Sequence, residues 1–179
     1  TALTSNTTLS AGTWYHIVMA YDGSSAKLYI NGKQEASDTS ASIVSNTNNI
    51  LIANAIGGKE NYDGRIDEIK FYTAALTADE VALDYNHGSA MVMGAASTAS
   101  DGVTPDNSAS REYCIPGDTA SCNPPVAEWN FEEGSGNSTN DNSGNNNALS
   151  LTSVSWSPGK YGKAGGYDGT NSTASISDN

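Results

Sequence analysis

The pattern of apolar and polar residues predicts β-strands in the early part of the chain. Residues 14–21 (WYHIVMAY) are largely apolar on both faces of an extended strand, as is typical of an inner strand of a two-layer sandwich. An Asp-Gly pair at 22–23 and an Asn-Gly pair at 31–32 are hairpin signals. We therefore expect a three-strand meander completed by residues 27–30 and 33–36.

Two more strands are predicted before the first helical pattern. Residues 50–53 form a short apolar segment, and residues 65–72 (RIDEIKFY) read as a further strand. A continuous strand over 65–72 would place Asp67 and Glu68 on opposite faces of a sheet. Their two side chains would then not reach one ion together.

Residues 76–85 form the one convincing helical pattern. Thr77 followed by Glu80 is a possible capping box, and Leu76, Val81 and Tyr85 recur at helical spacing. One short helix after many strands predicts an all-β domain that ends in a helical clasp.

The second half of the chain differs from the first in its composition. Residues 88–125 are rich in Gly, Ala, Ser, Thr and Pro and predict a linker, after which residues 126–131 (VAEWNF) alternate like a strand. Residues 132–147 predict a long loop. A strand at 149–156, a turn at 160–164 and a last strand region at 165–176 follow, and this last element is expected to lack a partner.

The charge of the chain narrows the classes of partner. Twenty acidic residues against eight basic ones give a formal charge of −12, which argues against binding to nucleic acid or to an anionic membrane. No apolar run approaches the ~20 residues that cross a bilayer. Cations are therefore the more natural partners.

The two cysteines, Cys114 and Cys122, bracket a short loop with a Pro-Gly pair. A local disulfide is expected if the protein is in an oxidising compartment. The alternatives are two free thiols or, least favoured, a metal site, for which the sequence offers no nearby additional Cys or His ligands.

Several segments together resemble the LamG-like jelly-roll family of the concanavalin A-like lectin and glucanase superfamily. They are WYHIVMAYDGSSAKLYINGKQ and YDGRIDEIKFYTAALTADEV in the first part, and AEWNFEEGSG, DNSGNNN and GKYGKAGGYDGTN in the last. The resemblance implies an antiparallel jelly-roll β-sandwich, secreted or at the cell surface, that binds glycans or proteins and is stabilised by calcium.

The order of these segments is inverted relative to that family. Residues 1–87 resemble the C-terminal half of a jelly roll, and residues 126–179 resemble the N-terminal half. The middle strands of the family pattern are missing. Either the chain is a window on tandem repeats, or its halves are completed by other copies of the same chain, head to tail.

The resemblance also implies positions for calcium. Asp141 lies in the DNSGNNN segment, while Asp168 of YDG and Asp67 of RIDEI match the other acidic positions. Calcium takes six to eight oxygen ligands, so carbonyls and water would complete such a site. The alternative is a loop whose Asp and Asn side chains only cap their own backbone turns.

The sequence does not predict an enzyme. RIDEI lacks the alternating acids of the superfamily's glucanases, the Glu132-Glu133 pair is adjacent and splayed, and His16 reads as a core histidine. Trp156 and Tyr161, beside a Pro-Gly pair, are weak candidates for glycan contact.

We therefore hypothesise an extracellular structural or adhesive protein, a repeat or subunit of a calcium-stabilised surface fibre. The alternative is a carbohydrate-binding module of a secreted or surface-anchored protein.

Overall fold

The computed structural model describes residues 3–42, 49–54, 61–86 and 125–176. The chain divides into two compact units. The first unit combines Thr1–Ile43 with Tyr72–Pro124, and the second combines Val44–Phe71 with Pro125–Asn179. Each unit is thus assembled from two separate stretches of sequence.

A three-stranded meander forms the centre of the first unit. Strands β1 (Ile17–Tyr21), β2 (Ala26–Ile30) and β3 (Lys33–Asp38) pair antiparallel in the order β1-β2-β3. Asn31 adopts φ 51° and Gly32 φ 77°, the left-handed values that a tight Asn-Gly hairpin turn requires. The predicted meander is confirmed, although β1 begins three residues later than expected.

Helix α1 (Ala78–Asn86) covers one face of this meander. The Thr77 N–H donates to Glu80 Oε2 at 2.7 Å, and the Glu80 N–H donates to Thr77 Oγ1 at 3.3 Å, so the predicted capping box is present. Val81 is fully buried against Ala20 and Tyr29, and Leu76 packs beside them. The amphipathic pattern of the helix therefore predicted its buried face.

The second unit contains nine strands within the described residues. From the earlier stretch come β4 (Ile50–Ile52), β5 (Asp63–Ile66) and β6 (Ile69–Phe71). From the later stretch come β7 (Ala127–Trp129), β8 (Ser138–Thr139), β9 (Leu149–Thr152), β10 (Ser155–Pro158), β11 (Lys163–Asp168) and β12 (Thr173–Ile176).

The two stretches of the second unit pair with each other at three places. The sheets have the orders β10-β11-β5, β4-β12-β9-β8 and β6-β7, all antiparallel. Each strand from the earlier stretch thus pairs directly with a strand from the later one. The expectation that the last element lacks a partner is wrong, because β12 pairs with both β4 and β9.

Two segments that the sequence predicts as continuous strands, 65–72 and 149–156, each form two separate strands. Glu68 adopts φ 52° and separates β5 from β6, and Ser153 adopts φ 53° and separates β9 from β10. A left-handed residue turns the chain out of the extended path, so the flanking strands enter different sheets. The apolar alternation slips by one position at each break, from 66 to 69 and from 151 to 154, although neither left-handed residue is glycine.

The core of the second unit is built around Trp129 and Phe131, which are fully buried together with Leu149. The predicted alternation of residues 126–131 is therefore confirmed on its buried side. Gly165 lies against this core, and a Cβ there would sit 3.0 Å from the Phe131 ring. The absence of a side chain at 165 is what lets Phe131 pack so closely on β11.

The described residues confirm the predicted fold class, since they form antiparallel sheets with one short helix, as a jelly-roll β-sandwich does. No helix among them is long and apolar enough to cross a membrane. Cys114, Cys122 and the linker at 88–124 lie outside the described residues. The disulfide and the assignment of residues 1–87 and 126–179 to halves of separate jelly rolls stay predictions.

Candidate functional site

The carboxylate of Asp141, in the DNSGNNN segment, accepts hydrogen bonds from three backbone amides. Its Oδ1 accepts the N–H of Glu128 at 3.0 Å and of Ser143 at 2.9 Å, and its Oδ2 accepts the N–H of Asn147 at 2.9 Å. Partial burial would raise the pKa of Asp141, but hydrogen bonds from Ser143, Asn147 and Glu128 hold it below the ordinary value. This carboxylate organises its loop.

The same loop also forms hydrogen bonds with the start of β7. The Val126 carbonyl accepts the Ser143 hydroxyl at 3.1 Å and the side-chain amides of Asn145 at 3.1 Å and Asn147 at 2.9 Å. The Asn142 N–H adds a backbone bond to the Glu128 carbonyl at 2.7 Å. We call residues 141–147 the asparagine clamp, because their side chains hydrogen-bond to the backbone of Val126 and Glu128 at the start of β7.

Asp168 caps the turn between β11 and β12. Its Oδ1 accepts the N–H groups of Thr170 at 2.9 Å, Asn171 at 3.1 Å and Ser172 at 3.1 Å. The bond from the Thr170 amide, with those of Ser172 and Asn171, holds the pKa of Asp168 far below its ordinary value. Local capping of this kind was the alternative to calcium binding.

Asp67 is different from the other two predicted ligands. Its Oδ2 accepts the N–H of Lys160 at 2.8 Å and of Tyr161 at 3.1 Å. Its Oδ1 is buried and has no hydrogen-bond partner. Burial raises the pKa of Asp67 above its ordinary value, and the hydrogen bonds from the Tyr161 and Lys160 amides oppose this shift.

Two glutamates share the surroundings of Asp67. Burial raises the pKa of Glu68 to about 7, and the charges of Asp67, Glu128 and Glu132 act in the same direction against the opposing effect of Lys70. Glu132 accepts the Lys163 N–H at 3.1 Å, so Asp67 and Glu132 hold the same turn at residues 159–163. We call Asp67, Glu68 and Glu132 the acidic site.

The three predicted calcium ligands have different hydrogen-bond surroundings. Asp141 accepts backbone amides of its own loop and of β7, Asp168 Oδ1 accepts amides of its own turn, and of the three only Asp67 has a buried oxygen without a partner. In the ranges that the structure describes, no group of three or more His, Cys, Asp and Glu side chains is placed to hold a metal ion. Calcium binding by Asp67, Asp141 and Asp168 stays a prediction.

The acidic site was missed by sequence reasoning for a specific reason. An unbroken strand over 65–72 put Asp67 and Glu68 on opposite faces, whereas the left-handed turn at Glu68 changes that arrangement. Glu132 and Glu133 do splay as expected, since Glu133 accepts the Thr139 hydroxyl at 3.0 Å and the Asn140 N–H at 2.7 Å. The signal available in the sequence was an Asp-Glu pair at the end of a Gly-containing strand.

The two aromatic candidates for glycan contact have different surroundings. The Trp156 N–H donates to the Gly136 carbonyl at 3.0 Å, and its ring lies 6.2 Å from that of Phe131, so it is partly buried. Tyr161 is 39% exposed, with Lys160 Nζ 5.9 Å from its ring centroid. Only Tyr161 presents a substantial accessible face.

His16 contributes to the first unit as a structural residue. Its Nε2 lies 2.9 Å from Asp84 Oδ2, and its ring lies 5.7 Å from the ring of Tyr85. This pair joins the loop before β1 to helix α1. The prediction that the protein is not an enzyme stays a prediction.

The first part of the chain matches a known family. Residues 1–82 match a family model, Laminin_G_3, of the Concanavalin A-like lectin/glucanases superfamily. The resemblance is confirmed over these residues. The LamG-like match includes β1–β3, the acidic positions Asp67 and Glu68, and the first turn of helix α1.

One solved structure resembles part of the chain. It is that of an S-layer domain-containing protein (residues 221–444) from Clostridium thermocellum ATCC 27405, with 23% identity and a TM-score of 0.38. The likeness covers 45% of this chain and 43% of the other, so the chain spans less than half of that solved length. No curated protein matches the chain.

Proposed function

We propose that this protein is an extracellular structural or adhesive LamG-like module, a repeat or subunit of a surface fibre. In the fibre, the late stretch of one chain pairs with the early stretch of the next. The observation that supports this proposal is the set of pairings β4-β12, β5-β11 and β6-β7, each of which joins sequence before residue 72 to sequence after residue 124. The three pairings form a complementary joint.

In this structure the three strand pairings of the joint form within one chain. Exchange between chains would use the same strand pairs, because a second copy has identical strands that can pair with the same edges. The intervening residues 88–124 are rich in Gly, Ala, Ser and Thr, a composition typical of linkers. High protein concentration shifts the balance toward exchange, since closure within a chain competes at an effective concentration in the millimolar range.

Shortening the linker tests this exchange. Deleting residues 90–110 should hinder closure within the chain and raise the fraction of oligomers, measured by light scattering after gel filtration and by electron microscopy. A control that scrambles the same residues at constant length should leave the balance unchanged. Monomers at all concentrations for both variants would overturn the fibre proposal.

Calcium stabilisation is a separate part of the proposal. It is supported by the buried, unpartnered Oδ1 of Asp67 and by burial, which raises the pKa values of Asp67 and Glu68, since a bound cation would offset the cost of burying these carboxylates. Calcium should raise the melting temperature of the wild type and have less effect on Asp67→Asn. An equal response of Asp141→Asn and Asp67→Asn would argue against the acidic site.

Carbohydrate binding is the second candidate function, and the exposed ring of Tyr161 beside Lys160 favours it. A glycan array with wild type and Tyr161→Ala tests it directly. Binding that survives the substitution would place any glycan site elsewhere.

A further inference from the structure

Lys70 of strand β6 has a side chain that is largely withdrawn from solvent. That side chain is 7% exposed, and its Nζ lies 3.7 Å from Oε1 of Glu128, the residue directly opposite in strand β7. An ammonium group away from water needs a paired charge, and the amine becomes a nucleophile once its proton is removed. The pair with Glu128 therefore holds a reactive group beside a proton acceptor.

Asn130 lies on the same face of this strand pair. Three alternate side chains enter the core of the second unit: Ala127, Trp129 and Phe131. Glu128 and Asn130 therefore face the other way, on the side where Lys70 pairs with Glu128. Lys70 is diagonal to Asn130 across the pair, and diagonal neighbours lie about 7–8 Å apart, within reach of a long side chain.

The carboxamide of Asn130 has an unsatisfied oxygen. Its Oδ1 is buried and has no hydrogen-bond partner. A buried acceptor in this condition destabilises the fold and calls for an explanation. Because no group holds this oxygen, it can accept a hydrogen bond from a neighbouring acid, which makes the carbon of the carboxamide more electrophilic.

We propose that Lys70 and Asn130 form an isopeptide bond, with Glu128 as the proton carrier. The Lys70 ammonium first transfers a proton to the Glu128 carboxylate. The neutral Nζ then attacks Cγ of Asn130, while the protonated Glu128 donates a hydrogen bond to Oδ1.

The atoms and charges of this step balance. The bond between Nζ and Cγ forms, and the bond between Cγ and Nδ2 of Asn130 breaks. Of the three protons on Nζ, one stays on the new amide and two leave with Nδ2 as an ammonium ion. Glu128 passes on its proton and returns to the carboxylate. Nothing is oxidised or reduced, so the chain needs no co-reactant.

The carboxylates around Lys70 are weaker acceptors than Asn130. Glu128 is directly opposite Lys70, and Glu68 lies close enough to interact electrostatically with both. A carboxylate is a poor electrophile because it already carries the negative charge that the attack would increase. Proton transfer is the chemistry that suits Glu128, and amide exchange is the chemistry that suits Asn130.

The bond would tie the early stretch of the second unit to the late one. It joins β6 to β7 whether these strands come from one chain or from two, so it does not depend on the proposed fibre. Within one chain it closes a long loop and restricts the unfolded state. Between two chains it would join the copies covalently, which denaturing electrophoresis detects as bands at multiples of the chain mass.

Mass spectrometry of the purified, reduced full chain tests the proposal. The wild type should be lighter than its sequence by one molecule of ammonia. Protease digestion should yield a branched peptide in which the side chain of Lys70 is linked to that of Asn130. A wild type of full sequence mass, with both residues found only in linear peptides after long incubation at neutral pH, would overturn the proposal.

Two lysine variants show whether the lost ammonia comes from this bond. Lys70→Arg keeps the positive charge but removes the nucleophile, so it should have the full sequence mass. Lys163→Arg changes an exposed lysine of β11 in the same unit and should lose ammonia as the wild type does. Loss of ammonia that persists in Lys70→Arg would come from cyclisation of Asn130 onto its own backbone and would contradict the bond.

Two further variants separate the roles of the other residues. Glu128→Ala removes the proton carrier and should leave the chain unlinked, with circular dichroism as the check on folding. Asn130→Asp should form the same branched peptide more slowly, because it loses water where asparagine loses ammonia and the amide product is identical. Linkage of Glu128→Ala at the wild-type rate would contradict the role of Glu128.

Discussion

The two units solve the same folding problem with contacts of different range. The sheet of the first unit comes from three strands that follow one another through tight turns, whereas the sheets of the second unit join stretches separated by more than fifty positions. Contacts between distant residues carry a larger loop-closure cost and form more slowly. The sheet of the first unit is therefore encoded locally, whereas the docking of its helix and the sheets of the second unit depend on contacts between distant residues.

Trp129→Ala should have the largest effect. Trp129 is 1% exposed in the core that joins β7 to the other strands of the second unit. The cavity should reduce the free energy of unfolding by about 3–5 kcal/mol. Hydrogen exchange should show protection lost in β6, β7 and β9 and retained in β1–β3. Equal loss in the meander would break the distinction between the two units.

Asp141→Ala should rank second, because it removes the acceptor of three backbone N–H groups in the asparagine clamp. We expect a loss of roughly 1–3 kcal/mol, measured by urea unfolding. The matched control is Asp22→Ala in the first unit, where Asp22 accepts the N–H groups of Ser24 and Ser25 in an exposed turn. The control should lose less, since water can replace the lost acceptor there.

Glu68→Gln should change the pH dependence of stability by an intermediate amount. Burial raises the pKa of Glu68 from 4.5 to about 7 in the folded protein. The folded state thus holds this proton more tightly, so its contribution is complete below 4.5 and is lost as the pH rises through 7.

Thermal unfolding between pH 5 and pH 8 measures this contribution. The wild type should melt a few degrees lower at pH 8 than Glu68→Gln, and the two should converge toward pH 5. Asp67, whose pKa is also raised, contributes with the same sign and remains in both proteins. Parallel pH profiles for the two proteins would show that Glu68 is charged in the fold at pH 5.

Thr77→Ala should have the smallest effect. It removes the hydroxyl that accepts the Glu80 N–H at the start of helix α1, at a cost of about 1 kcal/mol. Circular dichroism during urea unfolding would measure it, and Thr77→Ser should restore most of the loss. A loss as large as that of Trp129→Ala would mean that the first unit is not stabilised locally.

The same contrast explains what could be predicted from the sequence. The Asn-Gly turn, the capping box at Thr77 and the alternation of Ala127, Trp129 and Phe131 each act over a few residues, so their patterns identified the meander, the helix and a core strand. The pairing of β12 with β4 joins residues more than a hundred positions apart, and no local pattern contains that information.

The site shows the same limit. An acidic residue in a loop rich in Asn and Gly is compatible with both a metal ligand and a backbone cap. The outcome for Asp141 depends on whether the amides of Glu128 and Asn147 reach its oxygens. The acidic site likewise depends on the left-handed conformation of Glu68, a residue type that rarely adopts it.

The close packing of Gly165 against Phe131 has a consequence for how such sequences diverge. A Cβ at position 165 would lie 3.0 Å from the Phe131 ring and 3.2 Å from the Tyr167 ring, so a side chain there requires these rings to shift or to be replaced by smaller groups. Among descendants of this chain, a side chain at position 165 should therefore appear together with a smaller residue at 131. The pair should be inherited as one covarying unit, even though its members lie 34 positions apart along the chain.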